Sequence, residues 1–283
     1  MITGRTRVYG LVGNPVRHSL SPAMHNELFR RQRIDAIYVA FDVPGERAGA
    51  VAGAVRTLGL SGVNLTVPFK ERVLPELDEL SATARVAGAV NVVIREADRL
   101  VGYNTDGEGY LRALHEELGI TPVNTRAVVL GAGGTGRAVA AALAAHGATA
   151  VTLLNRTQAR AEVACAALAT AFPTVEFTAG ALEPARFSAV APSADLVVNC
   201  TAGGGAAAVA ALDVAGLRRG AAWTDANYWM ADPPQLAACA ARGVRIQRGI
   251  GMLMHQGALS FAHFAGVPVD VDTIRGVLDI GGW

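Results

Sequence analysis

Several groups of residues in this 283-residue chain have types and spacings that could do chemistry. Gly131-x-Gly133-x-x-Gly136 follows the apolar run 127–130 and leads into an alanine-rich stretch ending near His146, which predicts strand, tight turn and helix. In such a turn one glycine makes the bend, one admits a pyrophosphate and one lets helix pack on strand. The phosphates then rest on free N–H groups at the helix N-terminus. A dinucleotide site that reads a ribose 2′-hydroxyl needs an acid about twenty residues further on. Here the next strand, 148–154, ends instead in Asn155-Arg156-Thr157-Gln158-Ala159-Arg160. Arg156, with Arg160 behind it and Asn155 and Thr157 beside it, suits a 2′-phosphate, so the predicted cofactor is NADP. The plainer alternative is a polar loop with Thr157 as a helix cap.

A second set lies upstream. Asn64 and Thr66 share one face of a strand that Pro68 ends, and Lys70 follows at the entry to a helix. Lys70 is either a solvated helix lysine or a cation at the C-terminal mouth of a strand, where open α/β sheets hold ligands. Asn91 is an amide inside the apolar run 89–94, and a buried amide needs partners. Asp106 opens a helix with Tyr110, Leu111, Leu114 and Leu118 on one side, and capping and catalysis are equally open to it. Ser21, followed by Pro22, predicts an N-cap, and Ser19 beside it could help hold a small carboxylate. His18 and His25 have no metal-spaced partner and are expected at the surface or in packing, so no metal is expected.

These groups require elements to hold them. Strand patterns at 8–12, 37–41, 62–67 and 89–94 alternate with helix patterns up to Asp106, and a second series of such units begins at Ala127. It includes 194–200, which ends in the glycine-rich turn 203–205, and 221–228, a strand whose end holds Tyr228. A helix then starts near Gly249 and runs to Gly266, with Met252 and Gln256 on one face. Met252 is core filler or a cofactor wall. The fold class is α/β: two α/β domains, the second a Rossmann-type doubly wound domain, with the active site expected in the cleft between them.

Composition narrows the function classes. A net charge of +1 gives no electrostatic footprint for nucleic acid or an anionic membrane. Three widely spaced cysteines argue against a disulfide framework and a zinc site. No apolar run is long enough to span a membrane and no signal peptide is recognisable, so a cytoplasmic protein with a small-molecule substrate is expected.

Five motifs together resemble the shikimate dehydrogenase family. They are Gly13-Asn14-Pro15-Val16-x-His18-Ser19-x-Ser21-Pro22-x-x-His25-Asn26, Asn64-x-Thr66-x-Pro68-x-Lys70, Gly88-Ala89-Val90-Asn91, Gly102-x-Asn104-Thr105-Asp106-Gly107 and Gly251-Met252-Leu253-x-x-Gln256. The resemblance implies an NADP-dependent oxidoreductase in which Lys70 and Asp106 form the catalytic pair. It also implies substrate contacts from Ser19, Ser21, Asn64, Thr66, Asn91, Tyr228 and Gln256. The implied cofactor set is Gly131, Ala132, Gly133, Gly134, Thr135, Gly136, Asn155, Arg156, Thr157, Arg160, Thr201, Ala226, Gly249 and Met252. A substrate domain of residues 1–105 plus 249–283 would flank a cofactor domain of 106–248, in a monomer or homodimer. Val92, the alanines of 202–208 and the run 227–234 depart from the family pattern. A broader quinate/shikimate dehydrogenase and a non-catalytic binder of NADP therefore stand as alternatives, although Ser21 leans towards shikimate.

Overall fold

The computed structural model describes residues 1–230 and 233–280, so Ala231 and Asp232 of the divergent 227–234 run lie outside the described residues. Two compact units form, Met1–Thr105 with Met254–Trp283, and Asp106–Leu253. The chain returns to the first unit after Leu253, inside the first turn of a helix, rather than at Gly249. The reason is packing. The later turns of that helix lie on first-unit side chains, with Phe261 5.2 Å from Phe29 between ring centres.

The first unit contains β1 (Arg7–Gly13), α1 (Ser21–Arg31), β2 (Ala36–Asp42), α2 (Val51–Thr57) and β3 (Gly62–Leu65). It continues with α3 (Phe69–Arg72), β4 (Glu79–Leu80), α4 (Ala82–Ala87), β5 (Val92–Glu96) and β6 (Arg99–Tyr103). The sheet order is β2-β1-β3-β5-β6-β4. β1 runs parallel to β2 and β3, while β5 is antiparallel to both β3 and β6, so this sheet is mixed. Its core includes Val12, Val63, Leu65, Phe69, Val90, Val93 and Leu100. His25, on α1, is 1% exposed and stacks on Tyr38 at 4.5 Å. Burial pushes its imidazole down to about 3, so it serves as a neutral packing ring.

The second unit opens with α5 (Asp106–Leu118), β7 (Arg126–Leu130), α6 (Gly134–Ala145), β8 (Ala150–Asn155) and α7 (Gln158–Ala171). β9 (Glu176–Ala181), α8 (Pro184–Val190), β10 (Leu196–Asn199), α9 (Ala206–Ala210), β11 (Ala222–Asp225), α10 (Leu236–Ala241) and β12 (Arg245–Gln247) complete its sheet and flanks. Then α11 (Ile250–Ala265) crosses to the first unit, where α12 (Val271–Ile280) follows. All neighbours in the order β12-β11-β10-β7-β8-β9 are parallel, the dinucleotide-binding strand order with its switch between β7 and β10. Val128, Val129, Leu130, Leu153, Leu154, Val197 and Val198 are buried, which is why these strands read as continuous apolar runs. No described helix is long and apolar enough to cross a membrane.

Candidate active site

In the first unit Asn64, Asn91 and Gln256, of the predicted residues, join one polar network. Asn64, the third residue of β3, is 7% exposed, and its Nδ2 donates to the Asn91 carbonyl (3.0 Å) and to Ser260 Oγ on α11 (3.2 Å). Tyr38 O–H, from β2, donates to Asn64 Oδ1 at 2.8 Å. Asn91 is not inside a strand, as its apolar context suggests, but immediately before β5. Its backbone N–H donates to the Tyr103 carbonyl, and its Oδ1 and Nδ2 both bond Thr105, at 2.8 Å each. This is how a 2% exposed amide is satisfied. Asn91 Nδ2 also reaches Gln256 Oε1 at 3.4 Å.

Lys70 sits half-buried on α3, and its carbonyl accepts the Val90 N–H at 2.8 Å. That bond fixes the lysine backbone against the segment that presents Asn91. Thr66 lies just beyond β3, half-buried, with its N–H on the Val12 carbonyl. Ser21 is the first residue of α1 and not its cap; Leu20, which has no side-chain acceptor, holds that position, and Ser19 Oγ accepts the Ser21 N–H instead (3.2 Å). Asp106 likewise begins α5 instead of preceding it. It is 3% exposed, its Oδ2 accepts Thr135 Oγ1 at 3.2 Å, and the helix start favours an anion there.

The second unit presents a backbone cradle. Gly131 has φ +100°, a left-handed conformation that favours glycine, and a Cβ there would stand 2.9 Å from the Cys200 carbonyl oxygen across the switch. A Cβ on Gly136 would run into the Gly131 carbonyl oxygen. Gly133 caps α6, followed by Gly134, Thr135 and Gly136 in its first turn. The Ala132 N–H donates to Asn155 Oδ1 at 3.1 Å, while Asn155 Nδ2 donates to the Thr157 carbonyl at 2.9 Å. Arg156, Thr157 and Arg160 are exposed beyond β8, and Thr157 is the α7 cap residue without a side-chain cap bond.

The mouths of β10 and β11 hold a chain of polar side chains. Thr201 Oγ1 donates to Asn199 Oδ1, and Asn199 Nδ2 to Asp225 Oδ2, both at 2.8 Å. Asp225 also accepts the N–H and Nδ2 of Asn227, while burial pushes its carboxyl above the usual range. This chain went unread in the sequence; its signal is an amide and an acid each ending an apolar strand. Ala226 donates its N–H to the Asn199 carbonyl, and a Cβ on Gly249 would lie 2.6 Å from the Asn227 carbonyl carbon. Met252 is buried. Tyr228 lies beyond the end of β11 and meets Trp229 edge to face at 5.5 Å. Among the described residues no cluster of three His, Cys, Asp or Glu side chains could hold a metal.

A parallel sheet in this order, with a glycine turn at its switch and exposed arginine rather than acid after its second strand, defines a Rossmann-type dinucleotide-dependent oxidoreductase. Residues 11–93 match the shikimate dehydrogenase substrate binding domain, and residues 116–211 match the shikimate / quinate 5-dehydrogenase family. The chain belongs to the shikimate dehydrogenase family. It is 45% identical to the shikimate dehydrogenase (NADP(+)) of Geobacter metallireducens over 94% of this chain and 93% of that one. The Thermus thermophilus shikimate 5-dehydrogenase in complex with NADP(H) and shikimate is 36% identical, with TM-score 0.78 over 96% of this chain and 98% of that one. A quinate dehydrogenase from Corynebacterium glutamicum in complex with NAD is 31% identical, with TM-score 0.83 over 96% and 98%.

Proposed function

We propose that this chain catalyses the reversible reduction of 3-dehydroshikimate to shikimate with NADPH. The observation that carries the reading is the bond that ties the Lys70 backbone to the segment presenting Asn91, whose amide belongs to a set of amides and hydroxyls suited to reading ring hydroxyls. Ser19 and Ser21 hold the substrate carboxylate, helped by Tyr228. Asn64, Thr66, Asn91, Asp106 and Gln256 bind hydroxyls. The cradle at Gly131, Ala132, Gly133, Gly134, Thr135 and Gly136 takes the pyrophosphate, while Asn155, Arg156, Thr157 and Arg160 take the 2′-phosphate. Thr201, Ala226, Gly249 and Met252 line the rest of the cofactor site. When bound, the nicotinamide supplies the hydride. As the ketone becomes an alkoxide, Lys70 offers it a positive neighbour, and the catalytic pair Lys70 and Asp106 supplies its proton.

The three free cysteines, two of them buried, suit a reducing cytoplasm, and a monomer or homodimer completes the reading. Similarity to an NAD-bound quinate dehydrogenase favours one second reading, a broader quinate/shikimate enzyme. Rates at the NADPH absorbance with shikimate and quinate, each with NAD and with NADP, decide between them. Shikimate with NADP is expected to lead; comparable quinate rates would select the broader reading, and no turnover in any of the four would reject both.

A further inference from the structure

The carboxamide of Asn64 has almost all of its hydrogen-bonding capacity committed within the first unit. Both Nδ2 hydrogens are used, one on the Asn91 carbonyl and one on Ser260 Oγ. The Asn91 carbonyl can only accept, so turning the amide over would set two oxygens 3.0 Å apart. Oδ1 therefore faces Tyr38, whose O–H must donate to it. One valence is left, the second lone pair of Oδ1.

The rest of the network keeps it so. Ser260, fully buried, accepts from Asn64 and spends its proton on Thr105 Oγ1 at 3.2 Å; Thr105, which also accepts from Asn91, passes its own to the Gln256 carbonyl at 3.3 Å. Every hydroxyl in this chain then has an acceptor, and no other direction achieves that. Tyr38 is anchored in turn: Asn26 bonds both its N–H and its carbonyl, at 2.8 and 2.7 Å.

Resting on the assignment of Asn64 to the substrate site, we infer that Asn64 reads one ring hydroxyl solely as an acceptor, a polarity set by the Asn91 carbonyl, and that Tyr38 and Ser260 are the positioning residues that hold the amide in it. A ligand group that cannot donate is rejected there by repulsion as well as by a lost bond.

The test uses the full chain with NADP and shikimate analogues in which each ring hydroxyl in turn is replaced by fluorine or by hydrogen. At one ring position the fluoro analogue should bind more weakly than the deoxy analogue, with shikimate about tenfold or more above both. In Asn64→Ala that order should vanish. Tyr38→Phe and Ser260→Ala should each raise the KM for shikimate several-fold, with kcat and the KM for NADP within about twofold. A merely structural role would instead lower the melting temperature and move all three constants together. The inference is overturned if fluorine never binds more weakly than hydrogen, if the order survives in Asn64→Ala, or if both positioning variants keep the shikimate KM. Absence of shikimate turnover by the unmodified chain would overturn the functional reading instead. The wiring is then read without ligand: the Asn64 side-chain amide protons exchange slowly in the unmodified chain and faster in Ser260→Ala, and equal exchange in the two refutes it.

Discussion

On the proposed function, the two units solve recognition by different means. The first relies on side chains: Asn64, Asn91, Thr105 and Ser260 hold one another in a buried network, and each amide has a defined orientation. The second relies chiefly on backbone, a left-handed glycine and a bare helix start at the switch of a parallel sheet. A network of side chains can tell one hydroxylated ring from another, because each unpaired polar atom is costly. A backbone cradle accepts any pyrophosphate, and leaves discrimination to the exposed residues after β8.

Four substitutions would break or sharpen that contrast. Lys70→Ala should lower kcat by about 10²- to 10⁴-fold with NADP affinity intact, measured by steady-state rates and by nucleotide titration. Loss of nucleotide binding in this variant would erase the division of labour. Gly136→Ala sets a methyl against the Gly131 carbonyl, so NADP should bind about tenfold or more weakly and the second unit should lose about 1–3 kcal/mol in denaturant melts. Shikimate binding should be unaffected in that variant. Arg156→Gln tests the proposed 2′-phosphate site beyond β8. Its KM for NADP should rise about tenfold with that for NAD unchanged, and equal changes in both would place Arg156 away from the 2′-phosphate.

The smallest effect concerns His25. Its imidazole titrates at about 3 in the fold against 6.5 when exposed, so the unfolded chain takes up the proton first as the pH falls. Stability therefore declines from 6.5 down towards 3. Between pH 7 and 5.5 the native chain should lose about 1 kcal/mol more than His25→Phe, which keeps a ring on Tyr38. Parallel losses in urea melts would show that His25 is already solvated.

The same contrast governs what the sequence makes legible. Gly131 to Gly136 could be read because each glycine answers to a local backbone demand, and Asn155 because an acid is missing at a known distance. Tyr38 and Ser260 escaped notice because their partners lie 26 and 196 residues away from them, at Asn64. Ser260 does leave a trace, as a lone hydroxyl on the stripe Gly257, Ser260, Phe261 and Phe264 of an apolar helix. Ser21 and Asp106 begin the helices they are expected to cap, and Asn91 precedes the strand expected to contain it, because backbone hydrogen bonds, not composition, draw the line. The antiparallel pairing of β5 was not legible either, since an apolar run carries no direction.

Asn155 links the glycine turn to the loop that follows β8, accepting from Ala132 on one side and donating to Thr157 on the other. A single-base change to aspartate, the simplest route towards the other nicotinamide coenzyme, would keep the first of these bonds. It would also turn the second into a carboxylate facing a carbonyl. The side chain that stands where an acid would choose the other coenzyme thus also holds the loop together, so that exchange made alone should lower stability.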